Sequence, residues 1–202
     1  MEIEAVREKR PYLGREDRRR VLLDKAAEMV ETQGWSILTM SALAEQAGVS
    51  RQLVYQHFPN LSSLLAATAM TVFMNTAQGT EKAIADNRNN LRQAIRAAAI
   101  VSLDLPRGRG DALWQLLSGT GLGSPELEFI RQGIRDTVLT LWEPMFSKLT
   151  NVEDATSARA MAWMLIMAFW GMRQMVRDSL ITRDQGLDEL DRLLGRVLPD
   201  SF

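Results

Sequence analysis

Apolar residues recur every three to four positions over most of this chain, the spacing that lays one side of a helix against a core. Leu22, Ala26, Met29 and Val30 fall on one side of 15–33, and Gly34 supplies a stop. Over 39–58 the pattern shortens into two helices. Thr39 caps the first, over about 41–47, because its hydroxyl accepts a bond from an unpaired first-turn N–H. Gly48 stands where the chain must bend sharply, and Ser50 caps a second helix running to Phe58, with Pro59 ending it. Leu43, Ala47, Val49, Val54 and Phe58 form the apolar side, and Ala44 and Ala47 are small enough for the two helices to cross closely. Arg51, Gln52, Tyr55, Gln56 and His57 are left for the outer side. Asn60 caps a fourth helix to about residue 78, with Leu61, Leu64, Leu65, Ala69, Val72 and Phe73 inward.

Beyond a polar break at 86–90 the same period predicts a helix over 91–105 and a loop over the Pro-Arg-Gly-Arg-Gly of 106–110. A short helix follows over 111–118, closed by the glycine-rich 119–123. Pro125 opens a long helix towards 148, with Pro144 as a place for a kink. The last two helices are expected at 154–180 and 184–197. Strand alternation, internal repeats and low-complexity segments are missing from the pattern. The fold class is all-α, with about nine helices. Residues 1–67 form one domain, with a loose arm at 1–14, and 68–202 form a helical body.

The 154–180 segment departs from a one-sided helix. Met161, Leu165, Ala168, Met172 and Met175 make one stripe, and Trp163, Ile166, Met167, Trp170 and Gln174 make another. A helix apolar on most sides needs cover on several sides. The next helix adds Leu187, Leu190, Leu194, Val197 and Leu198. The two are expected to pair with the same two helices of a second copy in a four-helix interface, rather than to bury entirely in their own chain.

Composition narrows the chemistry. There is no cysteine and one histidine among 202 residues, which excludes disulfides, thiol chemistry and multi-histidine metal sites; no metal or cofactor is expected. The longest uncharged apolar run, 160–172, is 13 residues, short of the roughly 20 that span a bilayer. With a charged start and no signal-peptide run, a cytoplasmic, nucleoid-associated protein without a membrane partner is expected. The net charge of −1 says nothing of nucleic acid, but Arg7, Lys9, Arg10, Arg15, Arg18, Arg19, Arg20 and Lys25 outnumber the four acidic residues of 7–25. Such a run is usually a solvated face; beside a helix-turn-helix, phosphate contact explains it better.

Two short helices joined by a tight turn place the start of the second at base edges in the major groove of double-stranded DNA. Arg51 is suited to guanine and Gln52 to adenine, each by paired hydrogen bonds, while Leu53 can touch a thymine methyl. Thr39 and Ser41, at a helix N-terminus, offer donors to a phosphate; Ser50 and Gln56 flank the reading residues. The motifs Ala47-Gly48-Val49-Ser50 and Tyr55-Gln56-His57-Phe58, in this helical context, resemble the DNA-binding domain of the tetracycline-repressor (TetR) family over roughly 15–67. The resemblance implies phosphate contacts from Tyr55 and His57, and a homodimer made by the last two long helices reading a pseudo-palindromic operator. Two positions depart from it. Leu53 stands where a small polar residue is common, and Leu61 where a phosphate-binding lysine is common.

The body carries Trp114, Trp142, Trp163 and Trp170 with Met145, Met164 and Met167; any one tryptophan alone reads as ordinary core, but for the group the resemblance to ligand-responsive repressors implies an apolar pocket for an unknown small effector. Arg131, Arg135, Glu143 and Arg173 are candidate polar anchors whose default surroundings are solvent. The expected function is a repressor released from its operator by such an effector. The alternative is a ligand-independent or architectural DNA-binding protein with a solid core. An enzyme is disfavoured: no nucleophile–base pair or metal cluster is present, and Gly119, Gly121 and Gly123 lack the strand-before-helix context of a phosphate loop.

Overall fold

A computed structural model describes residues 14–119, 125–149 and 155–198. Among them are nine α-helices and one 3₁₀ turn: α1 Arg15–Gln33, the turn Trp35–Ile37, α2 Met40–Ala47, α3 Arg51–His57, α4 Leu61–Asp86, α5 Leu91–Leu103, α6 Arg107–Ser118, α7 Pro125–Leu149, α8 Ala155–Arg177 and α9 Arg183–Val197. The chain is all-α, as its period implies.

Local chemistry sets the early boundaries. Thr39 Oγ1 accepts from the Ala42 N–H at 3.0 Å, Ser50 Oγ from the Leu53 N–H at 3.2 Å, and Asn60 Oδ1 from the Ser63 N–H at 2.8 Å. Gly48, at φ +63°, closes α2 in a Schellman motif: the Val49 N–H donates to the Ala44 carbonyl and the Gly48 N–H to that of Glu45. Leu22, Ala26, Met29, Val30, Leu43, Ala44, Val54 and Phe58 are buried, so the faces assigned from the sequence to α1, α2 and α3 point inward. Leu61 does not: it begins α4 directly after its cap and is exposed. Val49 and Ala47 are only half-buried.

Several later elements differ from expectation. α4 continues past residue 78 through Gly79, where an added Cβ would meet Val101 at 3.0 Å; the glycine lets α5 lie close. The segment read as a loop, 106–110, is the N-terminal turn of α6, with Pro106 at its cap position. A Cβ at Gly108 would stand 1.9 Å from the Glu31 carbonyl oxygen, and one at Gly110 would stand 1.6 Å from the Arg173 guanidinium. These glycines give α6 its close approach to α1 and α8. α7 continues through 144, whose side chain lies outside the described residues, as do 120–124 of the glycine-rich stretch and 1–13 of the arm.

Two apolar cores result. One joins α1–α3 and the first half of α4 to α6, the start of α7 and Trp170; the other joins α5, the end of α7, α8 and α9. Residue 67 therefore falls inside α4, and the first core runs across it without a break. α6 ties the N-terminal helices to the body: Trp35 Nε1 donates to the Ala112 carbonyl at 3.1 Å and Arg109 pairs with Glu31 at 2.8 Å.

α9 spends its leucines inside its own chain. Leu187, Leu190, Leu194 and Leu198 are buried against α5 and α8, and a Cβ at Gly186 would touch Met172 at 2.8 Å. The two stripes read along α8 also redistribute. Leu165, Trp170 and Met172 are buried, whereas Ala160, Met164, Ala168 and Met175 are exposed.

Candidate nucleic-acid interface and apolar cavity

α3 is held by one side. Val54 and Phe58 are fully buried, while Arg51, Gln52, Tyr55 and Gln56 are exposed and Leu53 and His57 half-buried. Thr39 and Ser50 are exposed and Ser41 half-buried, at or beside the N-termini of α2 and α3. The capping oxygens of Thr39 and Ser50 accept from backbone N–H groups, which leaves each hydroxyl hydrogen free for a phosphate. Thus all nine residues assigned from the sequence lie at the surface of the α2–α3 unit, with Ser41, Leu53 and His57 half-buried.

The basic run along α1 divides. Arg19 Nη1 donates to the His57 carbonyl at 2.7 Å, at the unsatisfied end of α3, and its guanidinium lies 4.6 Å from the centre of the Phe58 ring. Arg19 is thus a clamp on α3 rather than a solvated cation, a role that sequence spacing alone does not signal. Arg20 is exposed and pairs with Asp17 at 3.1 Å. His57 has its pKa lowered by burial first, then by the charges of Arg15, Arg18 and Arg19, with Glu16 opposing them. The imidazole of the free protein is therefore neutral near pH 7.

In the body a cavity of about 100 Å³ lies where the two cores meet. Its walls come from α4 (Phe73, Thr76, Ala77, Thr80), α5 (Ile95, Ala98, Ser102), α6 (Leu113, Leu117), α7 (Val138, Leu141, Trp142, Phe146) and α8 (Leu165, Ile166, Phe169, Trp170). Of the tryptophans and methionines proposed from the sequence, only Trp142 and Trp170 line it. Trp114 stacks on Trp170 at 6.1 Å without lining the cavity, and Trp163 and Met167 pack on the cores. Met164 is 63% exposed, and the Met145 side chain lies outside the described residues. The adaptable-methionine argument thus fails here: no methionine whose side chain is described lines the cavity.

The four anchor candidates are also elsewhere. Arg131 pairs with Glu128, Glu143 with Arg159, and Arg135 lies over Trp163. Arg173 is not solvated at all. It is 4% exposed, donates from Nε to the Ser102 carbonyl at 3.2 Å, and lies 3.7 Å from Asp111 and 5.3 Å over Trp170. Burial lowers its pKa and Asp111 opposes that. What the sequence could not reveal was which helices face one another, so residues of α4 and α5 such as Phe73 and Ser102 carried no signal. Among the described residues no group of three acidic or histidine side chains could hold a metal ion, and no helix is long and apolar enough to cross a membrane.

Residues 22–68 match the family model for bacterial regulatory proteins of the tetR family. The chain is 35% identical over 88 residues to the HTH-type transcriptional activator FasR of Mycolicibacterium smegmatis; the match spans 42% of this chain and 40% of that relative's length. In structure it resembles a transcriptional regulator from Rhodococcus sp. Rha1, with a TM-score of 0.70 at 19% identity over 89% of this chain and 95% of the other. It also resembles the multidrug binding protein EbrR, solved with malachite green, with a TM-score of 0.65 at 20% identity over 91% and 99% of the two chains. At these identities the structural likenesses speak for the fold.

Proposed function

We propose that this chain, whose residues 22–68 match the family model for bacterial regulatory proteins of the tetR family, is a homodimeric transcriptional regulator of that kind, a repressor that leaves a pseudo-palindromic operator when an apolar small molecule enters its body. The observation that carries the DNA-binding part is the division of α3. Val54 and Phe58 anchor one side in the core, Ser50 fixes the start, and Arg51, Gln52, Tyr55 and Gln56 stand free on the other. A helix presented this way inserts into the major groove, with Arg51 and Gln52 at base edges and Thr39, Ser41, Ser50, Tyr55 and His57 on phosphates.

One recognition helix makes few base contacts, so a second copy is required for a specific site. The exposed α8 face of Ala160, Met164, Ala168 and Met175 supports that copy's seat, because these residues share one side of the helix and small residues let backbones approach. The α9 leucines contribute by holding α8 in place rather than by meeting the partner.

The cavity between the two cores supports the effector. α6 borders it through Leu113 and Leu117, and the same helix grips α1 through Arg109, Gly108 and the Trp35 bond. An effector that fits one spacing of α6 and α4 better than another shifts the population of DNA-facing arrangements by its difference in affinity. EbrR, solved with malachite green on the same fold, supports only the reading that a body of this fold can admit a small molecule.

Selection of bound duplexes from a random pool tests this. The expected product is a two-fold symmetric sequence with half-sites about one helical turn apart. Failure to retain any duplex at low salt ends the DNA-binding reading. A site retained unchanged against a library of apolar compounds leaves the ligand-independent alternative.

A further inference from the structure

Ser102, on α5, is 4% exposed and lies in the cavity wall. Its Oγ has no hydrogen-bond partner among the described residues. The other hydroxyls of the wall behave differently: Thr76 donates to the Val72 carbonyl at 3.0 Å and Thr80 to that of Thr76 at 3.5 Å, each back along its own helix. A serine in a helix has the same option and here does not take it. Apart from the indole N–H groups of Trp142 and Trp170, every other lining side chain is apolar, and no charged one is among them. Besides the two indole groups, the wall therefore carries one hydroxyl without a partner, on a mostly hydrocarbon surface.

The nearest buried charge is Arg173. Its guanidinium stands behind the wall, on the Ser102 carbonyl and over the Trp170 ring, balanced at longer range by Asp111. A cationic ligand would lose its hydration, find no counter-charge, and face a cation across Trp170. An anionic ligand would be stripped of water against apolar walls, because Arg173 is turned towards α5 and α6 and does not line the space. A cavity of about 100 Å³ is far above what one water needs and admits a small organic molecule. Trp142, Phe146, Phe169 and Trp170 offer flat or edge-on aromatic surface for it.

We propose that the effector is a small, uncharged, largely aromatic or aliphatic molecule with one hydrogen-bonding oxygen or nitrogen, which it sets against Ser102 Oγ. This rests on the reading of the cavity as an effector site and narrows it to one ligand class.

The full chain is titrated with benzyl alcohol, toluene, benzoate and benzylammonium, which share a ring and differ in the pendant group. Occupancy is followed by the indole N–H resonances of Trp142 and Trp170, assigned with Trp→Phe variants. Benzyl alcohol is expected to bind at least about tenfold more tightly than either ion. Ser102→Ala is expected to weaken benzyl alcohol about three- to tenfold while leaving toluene unchanged. That variant removes an unpartnered hydroxyl, so its fold is not at risk. Equal or tighter binding of either ion overturns the ligand class and leaves the effector reading standing; tighter benzoate would mean that Arg173 reads the ligand. An unchanged ratio of benzyl alcohol to toluene in the variant overturns the role of Ser102. Silence from all four compounds at millimolar concentration removes the effector site itself, and this proposal with it.

Discussion

The turn between α2 and α3 and the first turn of α6 both carry glycine, and they use it differently. At Gly48 the backbone sits at φ +63°, and an added Cβ would meet nothing within 4 Å. The requirement is conformational and is written in the neighbouring residues: an apolar helix before it, a capping serine after it. At Gly108 the backbone is ordinary helix, and the Cβ would strike the Glu31 carbonyl at 1.9 Å. That requirement comes from a helix almost eighty residues away in sequence. The α2–α3 unit is therefore specified by short-range chemistry, while the body is specified by which helices meet. This difference decides what each region loses when a residue changes.

The largest expected effect follows from that contrast. Gly108→Ala gains about 1 kcal/mol of helix propensity but must push α6 away from a backbone atom, so a net loss of about 2–3 kcal/mol is expected. Gly48→Ala costs about 1 kcal/mol, the penalty of a left-handed alanine. Urea or thermal unfolding of the two variants compares them directly. At this chain length the first should lower Tm by about 5–10 °C and the second by a few degrees. A neutral or stabilised Gly108→Ala protein would mean that α6 does not press on α1, and the coupling assigned to it would go too.

Among α1–α3 the order is expected to reverse, because under the proposed function the outward side chains serve binding and not stability. Arg51→Ala is expected to cost about 1–3 kcal/mol of affinity for the selected operator and to relax one position in each half-site, at unchanged Tm. Unchanged affinity by fluorescence anisotropy would remove Arg51 from the base-reading role. Arg19 and Arg20 sharpen the distinction further. Arg19→Ala deletes the charge-assisted bond to the His57 carbonyl and the contact with Phe58, and should cost about 1.5–2 kcal/mol of stability. Arg20→Ala breaks only an exposed pair with Asp17 and should cost well under 1 kcal/mol. Equal destabilisation by the two would mean that Arg19 does not clamp α3.

What was legible in the sequence follows the same division. The bounds of α1, the caps Thr39, Ser50 and Asn60, and the bend at Gly48 depend on interactions a few residues long, and each stands where the pattern placed it. Leu61 was misplaced because the first residue after a cap has no preceding turn to set its face. Gly79, Gly108 and Gly110 read as breaks because a close helix crossing and a turn call for the same residue. The tryptophans pointed to a pocket, and Trp142 and Trp170 do line one. Trp114 and Trp163 differ from them only in which neighbour stands opposite, which no single-helix pattern contains. Ser102 and Arg173 were out of reach for the same reason: an uncommitted hydroxyl and a buried guanidinium are properties of packing.

A last effect expected of α3 is one of pH. In the free protein burial and the charges of Arg15, Arg18 and Arg19 hold the His57 pKa below its ordinary value of about 6.5, so the ring is neutral near pH 7. A DNA phosphate at the imidazole favours the charged form and raises the pKa in the complex. Between the two values binding takes up a proton, so affinity should rise as the pH falls through the region around 6.5. The limit is about tenfold per pH unit for each subunit, one proton apiece. Below the free-state value the dependence should flatten. The same depressed pKa weakens the fold as the pH drops below the unfolded value, so affinities belong to conditions where unfolding curves show an intact protein. His57→Gln should remove the slope and keep most of the affinity at pH 8. An operator affinity that falls on acidification, or a slope that survives the substitution, would mean that His57 does not meet a phosphate and that its place in α3 serves packing alone.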